Sequence, residues 1–413
     1  MRIKKKIFTA IIGWAVFSIV LWLQILPVLN KPQEYQGDFK VHYYAGKASL
    51  LGYNPYNNKD TSRISYGRAW KPFKFFPYTL FIYRVIAKID FFNAYYLYLA
   101  TKVILYLLLI LLWRYAFFKD TNIILFLLFV SLSIFSEAVY LDFRAGNVNI
   151  IEQLFLWLGI LFLFRKKTIL SGIFIILSSS FKLLTAVFLT LFLIKGLVKY
   201  FFIFLIILVL MLSAVWFLSP LEAHQFLKTH LYACGCWFSN DCPGHIAPSS
   251  LNFFRAVYYD NGINFYILMT IFILFISGFV IQRNYKSLKE KNYLIYFLIT
   301  IYCLILPRLK DYSLVILLPA AYFLPGYFYK KKKYVIVAFF IFLFFLLSPH
   351  PLFPLEYLNN FNHLNLISLI LKPFPAGFQQ IIKDYHILLS CYVLWASYIF
   401  IIFKERKKTD VIT

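Results

Sequence analysis

Residues 4–30, KKKIFTAIIGWAVFSIVLWLQILPVLN, decide the class of the fold. Three lysines precede an apolar run from about Ile7 to Leu29. A helix of about 20 residues, rising about 1.5 Å per residue, crosses a hydrocarbon core about 30 Å thick. The run is longer than the apolar region of a secretory leader, and no small-x-small cleavage site follows it. It reads as a retained signal anchor, with Lys4, Lys5 and Lys6 keeping its start in the cytoplasm.

The rest of the chain repeats this pattern. Of its 413 residues 62% are hydrophobic and 14% charged, with a mean hydropathy of +0.73. A soluble domain carries about 25% charged residues, so a single aqueous core is excluded. The runs are long and continuous, which excludes a β-barrel and leaves an all-α polytopic membrane protein. The net charge of +25 does not imply a nucleic-acid partner, because the basic residues cluster between apolar runs as the positive-inside rule expects. The bilayer itself is the expected partner.

In chain order the spacing predicts about ten crossings. They are Ile7–Leu29, Asn93–Trp113, Asn122–Leu141, Ile150–Phe164, Tyr200–Leu218, Ile263–Ile281, Tyr293–Leu306, Ser313–Phe328, Tyr334–Leu347 and His386–Phe403. Phe75–Ile89 is short and holds Arg84 and Lys88, so it reads as re-entrant or interfacial. Thr168–Ile194, split by Ser178–Lys182 (SSSFK), reads as a re-entrant helical hairpin. Exterior loops are expected at 30–74, 219–262 and 349–384, with 1–413 as a single domain and both termini cytoplasmic. Within the first loop, Phe39–Leu51 is expected to be a short amphipathic helix lying on the membrane, ended by Gly52 and Pro55. No internal repeat is visible.

This topology puts several out-of-place polar residues on one exterior side: Asp38, Asp142, Arg144, Asn147, Arg308, Lys310 and Asp311. Charges at a membrane edge are costly and mark candidate sites. For Asp38, in the stretch GDFKVHYYAGKASLLGYNPYN (Gly37–Asn57), two readings are open: a helix cap or a general base. In DFRAGNVN (Asp142–Asn149), Asn147 is either a cap for the next helix or a site residue. Arg144 either grips a lipid phosphate or pairs with Asp142 or Glu137. Lys182 lies deep in an apolar run and needs a carboxylate, a carbonyl or a donor phosphate as partner. In PRLKDY (Pro307–Tyr312), two cations flank Asp311, which suits a phosphate leaving group or a solvated loop. The loop CGCWFSNDCPGH offers Cys234, Cys236, Cys242 and His245. Its spacing is not that of common zinc sites, and a disulfide involving Cys242 is the plainer reading. Cys303 and Cys391 lie in spans and read as packing residues. No phosphate-binding glycine loop, dinucleotide fingerprint or HExxH motif occurs.

Gly37-Asp38, Tyr43-Tyr44, Ala45, Ala48, Gly52, Pro55 and Tyr56, followed by Gly146, Asn147, Asn149 and Lys182, resemble glycosyltransferase family 87. The family's Lys-Leu-x-Pro has Thr185 at its last position here, and PRLKDY replaces a Ser-Pro and a His pair. Only Ser249, Ser250 and Asn252 match the family's Asn-Gln-Ser stretch. The resemblance implies a GT-C membrane fold and an inverting transfer without metal or other cofactor. A hexose, mannose by the resemblance, would move from a polyprenyl-phosphate donor to a glycolipid or glycan at the outer face of a bacterial plasma membrane. It also implies Asp38 as catalytic base, Arg144, Lys182, Arg308 and Lys310 around the donor phosphate, and Tyr43, Tyr44, Asn147, Asn149, Asp311, Ser250 and Asn252 near substrate. The rival expectation is a transporter or flippase for a lipid-linked sugar.

Overall fold

The structure is a computed structural model and describes residues 2–69, 73–237, 247–285, 293–307, 309–346 and 372–409. Among them every regular element is helical. Six helices are long and apolar enough to cross a membrane: Phe8–Asn30, Phe91–Phe117, Val198–Phe217, Ser250–Arg283, Asp311–Lys330 and Asp384–Glu405. The protein is therefore an integral membrane protein. Four further expected crossings appear as shorter or broken apolar helices: Asn149–Phe164, Tyr293–Ile305, Tyr334–Phe344, and a bent pair, Ile123–Leu132 with Ser136–Ala145. The chain packs as two compact units, one of residues 1–24, 118–141 and 238–413, the other of 25–117 and 142–237.

The second unit holds the described part of the stretch 30–74. The chain leaves α1 (Arg2–Asn30) and enters α2 (Gly37–Leu50), α3 (Asn58–Ile64), α4 (Leu80–Ile86) and α5 (Phe91–Leu112). Helix α2 starts one residue before Asp38. It ends at Gly52, whose φ of +74° lets Tyr53 N–H reach back to the Ala48 carbonyl at 2.9 Å, a left-handed helix stop. The expected amphipathic surface helix is corrected here: Phe39–Gly46 and Ala48 are buried. Its Val41 and Ala45 fill a core with Tyr56, Phe73, Leu80, Tyr83 and Phe226, so packing outweighs the interfacial preference. Helix α4 lies so close to α2 that a Cβ on Gly46 would stand 2.4 Å from the Tyr83 carbonyl oxygen. With seven residues, α4 spans only about 10 Å and cannot cross.

Asn122–Leu141, expected as one crossing, is broken into α6 (Ile123–Leu132) and α7 (Ser136–Ala145) with a bend of 52°. The break follows from Ser133, which leaves helical geometry, and from Ile134, whose N–H bonds to the Phe344 carbonyl at 2.7 Å instead of continuing the ladder. Helix α7 then runs on through Asp142, so Asp142–Ala145 is helical rather than loop. Helices α8 (Asn149–Phe164) and α9 (Thr168–Phe181) follow, and α9 stops at Lys182. A 3-10 turn over Leu183–Leu189 leads into α10 (Thr190–Ile194) and α11 (Val198–Leu218). The expected break at SSSFK occurs without the family's proline. Lys182 adopts extended geometry, and the Thr185 hydroxyl donates to its carbonyl at 2.7 Å.

The expected exterior loop 219–262 contains two helices, α12 (Pro220–Trp237) and α13 (Ser250–Tyr258). Polar residues such as Glu222, His224 and Gln225 lower the hydropathy of α12, but Pro220 at its start favours a helix. Glu222 anchors it, accepting from Arg84 at 2.8 Å and from the Ser49 hydroxyl at 2.9 Å.

The first unit is built on α14 (Gly262–Arg283), α15 (Tyr293–Ile305), α16 (Leu317–Lys330), α17 (Tyr334–Ile341) and α18 (Ala376–Thr409). Aromatic contacts among Phe118, Phe126, Tyr296 and Tyr322 fill its interior. Tyr398 donates to the Ala320 carbonyl and Trp395 to the Ser277 hydroxyl. Cys303 and Cys391 are buried free thiols within it. Arg308, Cys242, His245 and most of the expected loop 349–384 lie outside the described residues, as do the side chains of Cys234 and Cys236.

Candidate active site

The turn between α7 and α8 forms because Gly146 reverses the chain in the left-handed region, at φ +70°. Only glycine fits there twice over. The conformation disfavours a side chain, and a Cβ would stand 2.8 Å from the Cβ atoms of both Gln36 and Phe39. That close approach brings the turn against the start of α2, where Gln36 N–H donates to the Arg144 carbonyl at 2.7 Å.

The contact aligns two side chains that are 109 residues apart: Asn147 Nδ2 donates to Asp38 Oδ2 at 2.7 Å. Asn147 Oδ1 accepts the Val148 N–H at 2.8 Å, so its amide is held at both ends. The cap position of α2 belongs to Gln36, not Asp38. Asp38 lies in the first turn, where the helix dipole favours a carboxylate, and it is partly exposed while Asn147, Asn149 and Asp142 are buried. A partly exposed carboxylate with one oxygen held by an amide is placed to accept a proton from a bound hydroxyl.

Beside it runs a chain of buried polar contacts. Lys102 Nζ meets Asp142 Oδ2 at 2.6 Å, with both side chains fully buried. Asn149 Nδ2 donates to Asp142 Oδ1 at 2.8 Å, and its Oδ1 accepts from Lys182 Nζ. Lys182 also approaches Glu152 Oε2 at 3.5 Å. Of the partners expected for Lys182, a carboxylate (Glu152) and a carbonyl oxygen (the Asn149 amide) are present, and the lysine retains partial exposure. Next to Asp38, His42 is enclosed by Tyr83, Phe75 and Phe73. Burial pushes its imidazole down from the usual 6.5 to about 4, with the Asp38 charge opposing and the Lys102 charge assisting.

The remaining expected site residues fall differently. Arg144 is exposed, with its guanidinium over the Tyr35 ring at 5.2 Å, and Asp142 is paired with Lys102, not Arg144. Tyr43 and Tyr44 are buried packing residues: Tyr43 donates to the Ile89 carbonyl at 2.8 Å, and Tyr44 stacks on Phe91. In the first unit, Ser250 donates to the Leu304 carbonyl at 2.7 Å and Asn252 to the Ala247 carbonyl at 2.9 Å. Lys310 lies over the Tyr312 ring at 5.1 Å, and Asp311 accepts the Tyr312 N–H at 2.7 Å. Sequence reasoning passed over Lys102 and Glu152. Their signal was present, since each is a charge inside an apolar helix.

The fold defines an integral membrane protein, with a partly exposed carboxylate held by the Asn147 amide. The profile of glycosyltransferase family 87 matches residues 75–307, more than half of the 413 residues, and the chain belongs to that family. It is therefore a glycosyltransferase. The matched region contains Asn147, Asn149, Glu152 and Lys182 and begins after Asp38. No curated protein matches the chain significantly, and no solved structure does so.

Proposed function

We propose that the protein transfers a hexose, mannose by its family resemblance, from a polyprenyl phosphate to a hydroxyl of a glycolipid or glycan at the outer face of the membrane. Asp38 accepts the proton of the acceptor hydroxyl as that oxygen attacks the anomeric carbon. The bond from that carbon to the phosphate oxygen breaks, its electron pair leaves with the polyprenyl phosphate, and the configuration inverts. Lys182, which reaches Asn149 and Glu152 beside the Asp38 site, is the first candidate for the donor-phosphate cation. Arg144 is a further candidate for holding the phosphate, with Asn149 near substrate, while Arg308, Lys310 and Asp311 are candidates on the family resemblance alone. In this arrangement the shorter apolar helices also cross, giving about ten crossings in a GT-C layout with both termini in the cytoplasm.

The observation that carries the reading is the 2.7 Å hydrogen bond from Asn147 to Asp38. It ties the partly exposed carboxylate to a turn inside the region matched by the family. Asn147 thereby acts on the base rather than on substrate. Incubating the purified protein with labelled polyprenyl-phosphate-mannose and a membrane lipid extract tests the proposal. Label appearing on a new lipid or glycan supports transfer. Label crossing the bilayer on an unchanged carrier, with no new product, supports a transporter and overturns it.

A further inference from the structure

Helix α5 carries two side chains that take no part in the transfer just described. Tyr98 and Lys102 are four residues apart and share one face of the helix. Both are buried, and both reach the turn that follows α7. The Tyr98 hydroxyl donates to the carbonyls of Gly146 and Asn147, at 3.2 and 3.1 Å. Lys102 Nζ donates to the Asp142 carbonyl at 2.7 Å and pairs with the Asp142 carboxylate at 2.6 Å. The same Asp142 carbonyl accepts the N–H groups of Gly146 and Asn147, at 3.0 and 3.3 Å. The backbone that presents Asn147 to Asp38 is thus gripped at three carbonyls from one helix face.

Stability alone does not account for this arrangement. A fully buried lysine–aspartate pair loses the hydration of both ions, and well-packed apolar residues of the same volume are often as stable or more so. What the charged pair adds is direction, because its hydrogen bonds fix one turn geometry where apolar packing tolerates several.

We propose that Tyr98 and the Lys102–Asp142 pair are positioning residues for the transfer reaction. They lock the Gly146–Asn147 turn so that the Asn147 amide holds Asp38 in the orientation that accepts the acceptor's proton. This rests on the reading of Asp38 as the base. A displacement of about 1 Å at a reacting group costs up to about a hundredfold in rate, so loosening the turn acts on kcat and leaves donor binding in place.

A double-mutant cycle tests it, using labelled mannosyl, glucosyl and galactosyl polyprenyl phosphates as donors and a membrane lipid extract as acceptor. Tyr98→Phe is expected to lower kcat about tenfold or more, with KM for the donor changed by less than about twofold. Asn147→Ala is expected to do the same. Because the clamp acts through Asn147, Tyr98→Phe in the Asn147→Ala background should lower kcat by less than about twofold further. Multiplicative losses, or an unchanged kcat in Tyr98→Phe, overturn the proposal. Lys102→Met with Asp142→Asn, which removes both charges together, runs through the same cycle with the same expectation and covers a Tyr98 variant that does not fold. Asp38→Asn is measured alongside. Turnover retained in that variant, or no transfer by the wild type from any of the three donors, overturns the underlying assignment of base and substrate. Asp38→Asn inactive with a multiplicative cycle overturns the clamp alone.

Discussion

In the second unit, Lys102, Asp142, Glu152 and Lys182 are joined through Asn149 into one chain of contacts beside Asp38. Among the described residues of the first unit, most buried polar side chains reach a backbone carbonyl or a single hydroxyl. Ser249 caps α13 and donates to the Pro307 carbonyl, Tyr398 reaches the Ala320 carbonyl, and Trp395 reaches a serine hydroxyl. Among the described residues the first unit pairs Lys331 with Glu405, both partly exposed, and sets His386 4.0 Å from Glu137, both largely buried. Neutral groups bonded to backbone carbonyls are inexpensive scaffolding. Charges withdrawn from water are costly, and here they accompany the one carboxylate that the α7–α8 turn fixes in place. The second unit thus joins four charges through Asn149 beside the fixed carboxylate, a longer linked chain than the charge pairs of the first unit.

Single substitutions that strand a charge should therefore cost far more in the second unit than the loss of a neutral group costs in the first. Asp142→Ala leaves Lys102 buried without its carboxylate and should destabilise the protein by about 3–5 kcal/mol. The expected result is a large fall in the unfolding midpoint or loss of folded protein in detergent. A midpoint within a degree or two of wild type would mean that the buried network is not under the electrostatic load described.

His42 gives the next effect. Its folded-state value is depressed, so the unfolded chain binds the proton more readily between pH 6.5 and 4. The contribution of the neutral, buried ring is fully present above about pH 6.5 and is lost as pH falls to about 4. The span corresponds to about 3 kcal/mol. Unfolding midpoints measured across that range should fall with pH in the wild type and fall less steeply in His42→Phe. Parallel curves would break the claim.

Gly46→Ala forces α2 and α4 apart at Tyr83 and should cost about 1–3 kcal/mol, read again as a midpoint shift. The smallest effect is expected in the first unit. Ser249→Ala removes one neutral helix cap, for a loss of about 1 kcal/mol. A larger loss there than in Gly46→Ala would blunt the contrast between the units.

Much of this architecture was legible in the amino-acid sequence, because long apolar runs bounded by lysines dictate helices in a bilayer. The break at Lys182 was legible too, from three serines and a lysine inside an apolar run. Other features were hidden for physical reasons. Helix α12 looked like a loop because Glu222, His224 and Gln225 dilute its hydropathy, although its backbone has no reason to leave helical geometry. Tyr43 and Tyr44 were expected near substrate only through the family resemblance, and their contacts with the Ile89 carbonyl and the Phe91 ring follow from a helix packing that the sequence does not spell out. Lys102 was visible as a charge in an apolar helix, but its partner Asp142 was assigned to an exterior loop, so the pair could not be drawn. The meeting of Asn147 with Asp38 depends on a glycine reversal and a close helix approach, and no spacing in the sequence encodes it.

The central claim is that Asp38 is the base of a sugar transfer and that its fixed orientation is what the second unit supplies. The most direct measurement compares wild type with Asp38→Asn in transfer of label from polyprenyl-phosphate-mannose to membrane lipid, at matched amounts of folded protein. Asparagine keeps the size of the side chain and cannot accept the proton, so transfer should fall by about a hundredfold to ten-thousandfold while the unfolding midpoint stays close to that of wild type. Wild-type turnover in Asp38→Asn would contradict the account.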